Sequence, residues 1–192
     1  MDDERQHIVE SQRGDLSAFN PLVERYQGQV YNLALRMLGD SNLAADAAQE
    51  TFISAYRAIH GFRGGNFRSW LLRIATNACL DLIRSAKAKR SISLETLELT
   101  PDSVPASKEE SPESYVIRRE LGQAIQKGLA SLSHHHRLAV VLIDIQGFSY
   151  QEAAAIMGCS EGTVKSRLSR ARGELREALQ QYPELLPNQF RL

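Results

Sequence analysis

Apolar residues recur at steps of three and four along the first part of the chain, where Phe19, Leu22, Val23, Tyr26, Val30, Leu33, Ala34 and Met37 form one stripe of an amphipathic helix. Gly39, Asp40 and Ser41 interrupt the stripe. A second helix is predicted over residues 42–59, with Ser41 placed to cap it and Gly61, Gly64 and Gly65 ending it. Trp70, Leu71, Ile74, Ala75, Ala78, Leu82 and Ile83 keep the same period and predict a third helix over residues 68–87. No alternating strand pattern occurs before residue 90. Residues 91–113 hold Pro101, Pro105 and Pro112 among serines and acids, show no period, and read as a linker. The helical period returns over residues 115–132, 135–146, 150–157 and 161–179. The pattern therefore predicts an all-α chain: two small helical domains, 1–90 and 114–182, joined by a flexible linker at 91–113 and followed by a patternless tail at 183–192.

The second domain carries the spacing of a helix-turn-helix. Ala154 is small where two helices would cross, Gly158 suits a left-handed turn four residues on, and Val164 packs back into the angle six residues later. A structural helical hairpin could share these constraints. What separates the two readings is the next helix. With Val164 facing inward and about 100° per residue, Leu168, Ala171 and Leu175 complete a buried stripe. Lys165, Ser166, Ser169, Arg170, Gly173 and Arg176 cover the opposite arc, with Arg167 and Arg172 on the flanks. Residues 163–173 contain no acid to pair with these cations. Such a face suits a major groove, the flanking arginines serving phosphates.

Charge changes the picture once it is read locally. The 192 residues hold 23 Lys plus Arg and 23 Asp plus Glu, a net charge of zero. Residues 66–90 nevertheless hold six bases and one acid, and residues 161–182 five bases and three acids, whereas residues 91–120 hold seven acids and three bases. Two basic patches separated by an acidic stretch point to two places that meet a polyanion. At 43% hydrophobic and 24% charged residues, the composition is that of a folded globular chain. The longest apolar run is the six residues 138–143, far short of the roughly 18 needed to span a bilayer. With no export pattern at its start, the protein is expected in the cytoplasm, without membrane insertion. Cys79 and Cys159 are too far apart in sequence to suggest a metal or disulfide framework, and both read as small buried residues.

An enzyme is not expected. The chain has no phosphate-binding Gly-x-x-x-x-Gly-Lys loop, no His-Glu-x-x-His pair and no Gly-x-Ser-x-Gly elbow. No cofactor is expected either. His134, His135 and His136 point about 100° apart on a regular helix and cannot all ligate one metal, so no metal site is predicted.

The order of motifs resembles the extracytoplasmic function (ECF) group of bacterial sigma-70 family sigma factors. The resemblance rests on Asp46-Ala-Ala-Gln49-Glu50-Thr-Phe52 with Tyr56 and Arg57, on Phe62-Arg63-Gly64, and on the stretch from Phe67-Arg68-Ser69-Trp70 to Asn77. It continues through Gly147-Phe148-Ser149-Tyr150 and from Gly162-Thr163-Val164-Lys165 to Arg172, and covers nearly the whole chain outside the linker and tail. The resemblance implies a sigma factor that binds RNA polymerase core enzyme and directs initiation at promoters through −10 and −35 elements.

Asp46, Gln49, Glu50 and Ile53 share one helix face, which by the resemblance docks on the β′ clamp helices. The β flap is the second contact implied on the polymerase. Asn66, Phe67 and Arg68 open the third helix where an aromatic face could stack on an extruded base, with Arg73, Arg84 and Lys87 as backbone contacts for the −10 strand. Trp70 is expected in the core instead, and Phe67 could join it there. For the −35 element the resemblance implies Lys165, Ser166, Arg167, Ser169, Arg170 and Arg172. The Pro- and Ser-containing linker lets the domains take different relative positions, so that a compact inactive form can be trapped, and the resemblance implies that a cognate anti-sigma factor does the trapping. The three histidines stand where relatives usually have a turn with proline and acids, and Ser169 where some carry a large apolar residue, so promoter preference does not transfer.

Overall fold

The structure, a computed structural model, describes residues 2–90, 112–182 and 184. Most of the expected linker and the tail lie outside the described residues, which contain helices and turns and no strand. The elements are α1 (Asp2–Gln12), α2 (Asn20–Leu38), α3 (Ser41–Ala58), α4 (Phe67–Arg90), α5 (Pro112–Ser131), α6 (His134–Val140), α7 (Tyr150–Met157) and α8 (Glu161–Leu179).

α2, α3 and α4 pack as a bundle whose contacts follow the predicted stripe: Leu22, Tyr26, Val30, Leu33, Ala34 and Met37 are all buried. Gly39 ends α2 in the left-handed region at φ 78°, where a side chain would be strained. Asp40, and not Ser41, caps α3; its carboxylate accepts from the Leu43 N–H at 2.8 Å. The carboxylate is the stronger acceptor at a helix N-terminus, which shifts the start by one residue. α1 escapes the periodic reading because its exposed face is mostly charged. It is tied down by Ile8, which is buried, and by Gln12, whose amide donates to the Ile59 and Phe62 carbonyls at 3.0 and 2.8 Å.

In the second half, Leu129, Leu132, Ala139, Val140, Leu168 and Ala171 make one apolar cluster. Gly128 on α5 lets α8 approach: a Cβ built there would lie 2.7 Å from Leu175 Cδ1. Gly128→Val is therefore expected to lower stability by about 1–3 kcal/mol through overpacking. Urea unfolding should show it, whereas an unchanged midpoint would mean that α5 and α8 are not closely packed.

Besides that cluster of its own, the second half shares a core with the first. Leu138, Val141, Leu142, Phe148, Ala153, Ile156 and Val164 belong to the same buried cluster as the residues of α2 and α4. The cause lies in the apolar run 138–143, which is hydrophobic on all sides and is therefore buried on all sides. Ala139 and Val140 face the α5/α8 cluster, while Leu138, Val141 and Leu142 join the first bundle. The run leaves α6 through a π turn over Val141–Ile145, where the Gln146 N–H reaches back five residues to the Val141 carbonyl at 2.9 Å.

Candidate nucleic-acid interface

α7 and α8 form the helix-turn-helix. Ser149 and Glu152 make a capping box at the start of α7, Gly158 closes that helix at φ 62°, and the Ser160 hydroxyl caps α8 by accepting from the Thr163 N–H at 3.2 Å. Hydrogen bonds from Ser149 hold the Glu152 carboxyl below the usual carboxylate range. Val164, Leu168 and Ala171 are buried, and Lys165, Ser166, Ser169, Arg170, Gly173 and Arg176 are exposed, so the predicted two-sided division of α8 is present. A shallow cavity of about 350 Å³ runs between Tyr150 and this arc, lined by Lys165, Ser169, Arg172 and Arg176 among others. The Lys165 ammonium sits 5.4 Å from the Tyr150 ring centroid.

One expectation about this helix is corrected. Arg172 does have an acidic partner, Asp144, reached in a two-pronged pair at 2.6 and 3.1 Å. The acid comes from the π turn, 28 residues earlier in the chain, so a scan of residues 163–173 could not find it. Its hydrogen bond raises the pKa of Arg172 further and fixes the guanidinium on the flank. Arg167 is half-buried and points an N–H at Cys159 Sγ, 3.7 Å away. Cys159 is itself half-exposed, unlike Cys79, whose burial pushes its thiol pKa up to about 12.

The second basic patch begins at the turn before α4, where Gly64 and Gly65 hold φ values of 92° and 95°. Asn66 caps α4 by accepting from the Ser69 N–H at 3.1 Å, and its amide donates to Glu152 Oε1 at 3.0 Å. Phe67 is not available for stacking on a base: it is 2% exposed and packs against Tyr26, Phe62 and Trp70. The first residue of an amphipathic helix on the side of α2 has to fill the core, and so Phe67 positions its neighbours instead. Trp70, half-buried, completes the same aromatic group.

Arg68 is half-buried. Its Nε donates to Gln29 Oε1 at 2.6 Å, its Nη2 donates to the Gln146 carbonyl at 2.5 Å, and its guanidinium lies 4.1 Å from the Phe148 ring centroid. Arg73 and Arg84 are exposed, Arg84 in a surface pair with Asp81. The side chain of Lys87 lies outside the described residues.

Asp46, Gln49, Glu50 and Ile53 are all exposed on α3, opposite the buried Ala44, Ala47, Thr51 and Ala55. The histidine run starts α6, capped by Ser133; His136 Nδ1 lies 2.9 Å from Glu174, and the His134 and His135 rings are 4.2 Å apart. Burial, then the neighbouring His134 and Arg167, lowers the pKa of His135. No group of three or more metal-ligating side chains is found among the described residues. No described helix is long and apolar enough to cross a membrane.

This two-part helical architecture has known counterparts. Residues 22–89 match the family profile for Sigma-70 region 2, and residues 122–175 that for Sigma-70, region 4. The chain is 36% identical to the RNA polymerase sigma-H factor of Pseudomonas aeruginosa over 185 residues, 94% of this chain and 95% of that one. It is 41% identical to the ECF RNA polymerase sigma-E factor of Escherichia coli K12 over 165 residues, 84% of this chain and 86% of that one. With the ECF RNA polymerase sigma factor SigE of Mycolicibacterium smegmatis it shares 40% identity over 85% of its length, which spans 62% of that relative. Among solved structures it resembles the sigma factor RpoE bound to the anti-sigma factor NepR from Bartonella quintana, with a TM-score of 0.70 and 29% identity over 85% of this chain and 98% of that one. It also resembles CnrH bound to the cytosolic domain of CnrY, with a TM-score of 0.66 and 28% identity over 94% and 99%.

The chain belongs to the sigma-70 family. Within that family it is an ECF sigma factor, a non-enzymatic initiation factor that directs RNA polymerase to specific promoters.

Proposed function

We propose that three surfaces divide the work of initiation. The arc of Lys165, Ser166, Ser169 and Arg170 reads the −35 element in the major groove, with Arg167 and Arg172 on the flanking phosphates. Asn66, Arg68, Arg73 and Arg84 hold the opened −10 strand, with Lys87 expected beyond them. The α3 face of Asp46, Gln49, Glu50 and Ile53 docks on the β′ clamp helices, and the α7–α8 unit meets the β flap. The protein acts in the cytoplasm, and a cognate anti-sigma factor controls it, a reading supported by relatives of the same architecture captured with such partners.

The division of α8 into a buried stripe and an acid-free exposed arc carries this reading, because a helix serving only as scaffold needs no such arc. Arg170→Ala should weaken discrimination between wild-type and mutated −35 elements by about 1–3 kcal/mol. In vitro transcription from a dependent promoter checks it; unchanged discrimination would mean that the arc does not face the bases.

On the polymerase side, Glu50→Lys and Asp46→Arg should reduce binding to core enzyme while changing stability by less than about half a kcal/mol, since both positions are exposed. Equal capture of wild type and variants by core polymerase would remove α3 from the interface.

A further inference from the structure

An acid stands beside the cationic arc of α8. Asp144, on the π turn, takes Arg172 in a two-pronged pair: Nη2 donates to Oδ1 at 2.6 Å and Nε donates to Oδ2 at 3.1 Å. A carboxylate in that position repels DNA wherever the neighbouring arginines attract it. Stability does not account for its presence. The side chains of Arg172 and Asp144 remain 55% and 32% exposed, and exposed pairs of this kind add little to folding. Glu174, the next acid on α8, is turned instead toward His136 at 2.9 Å.

What the pair does fix is the plane of the guanidinium. Such a group can make a two-pronged bond along its side, through Nε and Nη2, or at its end, through Nη1 and Nη2. Asp144 occupies the side and leaves the end for a second anion. Arg172 lines the shallow cavity of about 350 Å³ together with Lys165, Ser169, Gly173 and Arg176. Ser169 and Gly173 are short, so a phosphodiester can come close there. An arginine already held in one orientation gives up less freedom on binding than one that is not.

We propose that Asp144 is a positioning residue for DNA binding: it holds the Arg172 guanidinium with its free end toward a phosphate of the −35 backbone. This role rests on the phosphate contact assigned to Arg172 above. The acid thereby strengthens the grip on a polyanion, which is the opposite of what its charge alone would do. A phosphate carries no sequence information, so Asp144 acts on affinity at every promoter and not on the choice among them.

The experiment measures binding of a fluorescent duplex promoter fragment by the holoenzyme across a salt series. With Asp144→Ala, affinity should fall about three- to tenfold although a negative charge has been removed, and the slope of log affinity against log salt should become shallower by about one phosphate contact. Fragments with wild-type and mutated −35 elements should lose alike. Arg172→Ala should lose at least as much, and adding Asp144→Ala to it should cost nothing further. Both positions are exposed, so the thermal midpoint should move by no more than about 2 °C. Comparison in the Arg172→Ala background also cancels any general loss of structure. Equal or tighter binding by Asp144→Ala overturns the positioning role, as does a loss that persists undiminished in the Arg172→Ala background or one confined to a single −35 sequence. Wild-type binding by Arg172→Ala would refute the phosphate contact of Arg172 and Asp144 with it. Weak binding by Arg172→Ala beside tight binding by Asp144→Ala would refute the positioning alone.

Discussion

Phe148→Ala is expected to cost about 3–5 kcal/mol of unfolding free energy, the range for removing a fully buried phenylalanine, because its ring is 3% exposed and fills the seam between α4 and the second half of the chain. For a chain of 150–250 residues each kcal/mol lowers the midpoint by about 2–4 °C, so thermal unfolding should fall by on the order of 10 °C. Phe148→Leu should lose much less, since it keeps most of the volume but not the stacking on Arg68. The same packing predicts one cooperative transition for wild type, in contrast to the two expected if the halves had independent cores. Two resolved transitions by calorimetry, or a loss below about 1 kcal/mol for the alanine variant, would show that the seam is not buried in solution.

That seam marks the boundary of what the sequence makes legible. Helices α2, α4, α7 and α8 follow from their own periodic stripes, because each buries one face against neighbours and leaves the other in water. The cap of α8, the left-handed Gly158 and the outward arc are likewise local, set by residues within four or five positions of each other. What local pattern does not carry is any contact whose partners lie far apart in the chain. Asp144 meets Arg172 across 28 residues, and Gln29 meets Arg68 across 39. The amide of Gln146 finds Gln29 across 117, and neither glutamine stands out by composition or spacing.

Phe67 is instructive for the opposite reason. An aromatic residue beside glycines and an arginine fits base stacking, yet the same residue is the first apolar position of α4, and its burial with Tyr26 and Phe62 decides the matter. One signal of the seam was present in plain view: the run 138–143 has no polar face at all, so a second surface had to cover it. It is too short to span a membrane, but as a helix needing cover on every side it calls for a second surface, which the first bundle supplies.

Arg137→Ala should be nearly as damaging as the loss of Phe148, at about 3 kcal/mol. This guanidinium is partly buried on α6 with no acidic partner among the described residues. It donates to the Met37 carbonyl at the end of α2 and to the Ala130 and Leu132 carbonyls at the end of α5, the last two at 2.8 and 3.3 Å. Carbonyls in the last turn of a helix lack partners within it, and the cation also meets the negative end of two helix dipoles. Truncation leaves these acceptors short of a donor, at about 1–3 kcal/mol for each one that water cannot reach.

An opposing effect limits the total. Burial alone holds the Arg137 pKa below its ordinary value, so the charge is desolvated at a cost that its removal recovers. Arg137→Met, which keeps the apolar stem and drops the charge, should therefore lose less than alanine, about 1–2 kcal/mol. Arg137→Lys should recover little, because a single ammonium cannot span carbonyls on two helices as a planar fork does. Urea unfolding of the three variants orders them, with lysine and methionine both between alanine and wild type. If lysine matched wild type, the bonds to two helix ends would be irrelevant and only the positive charge would matter.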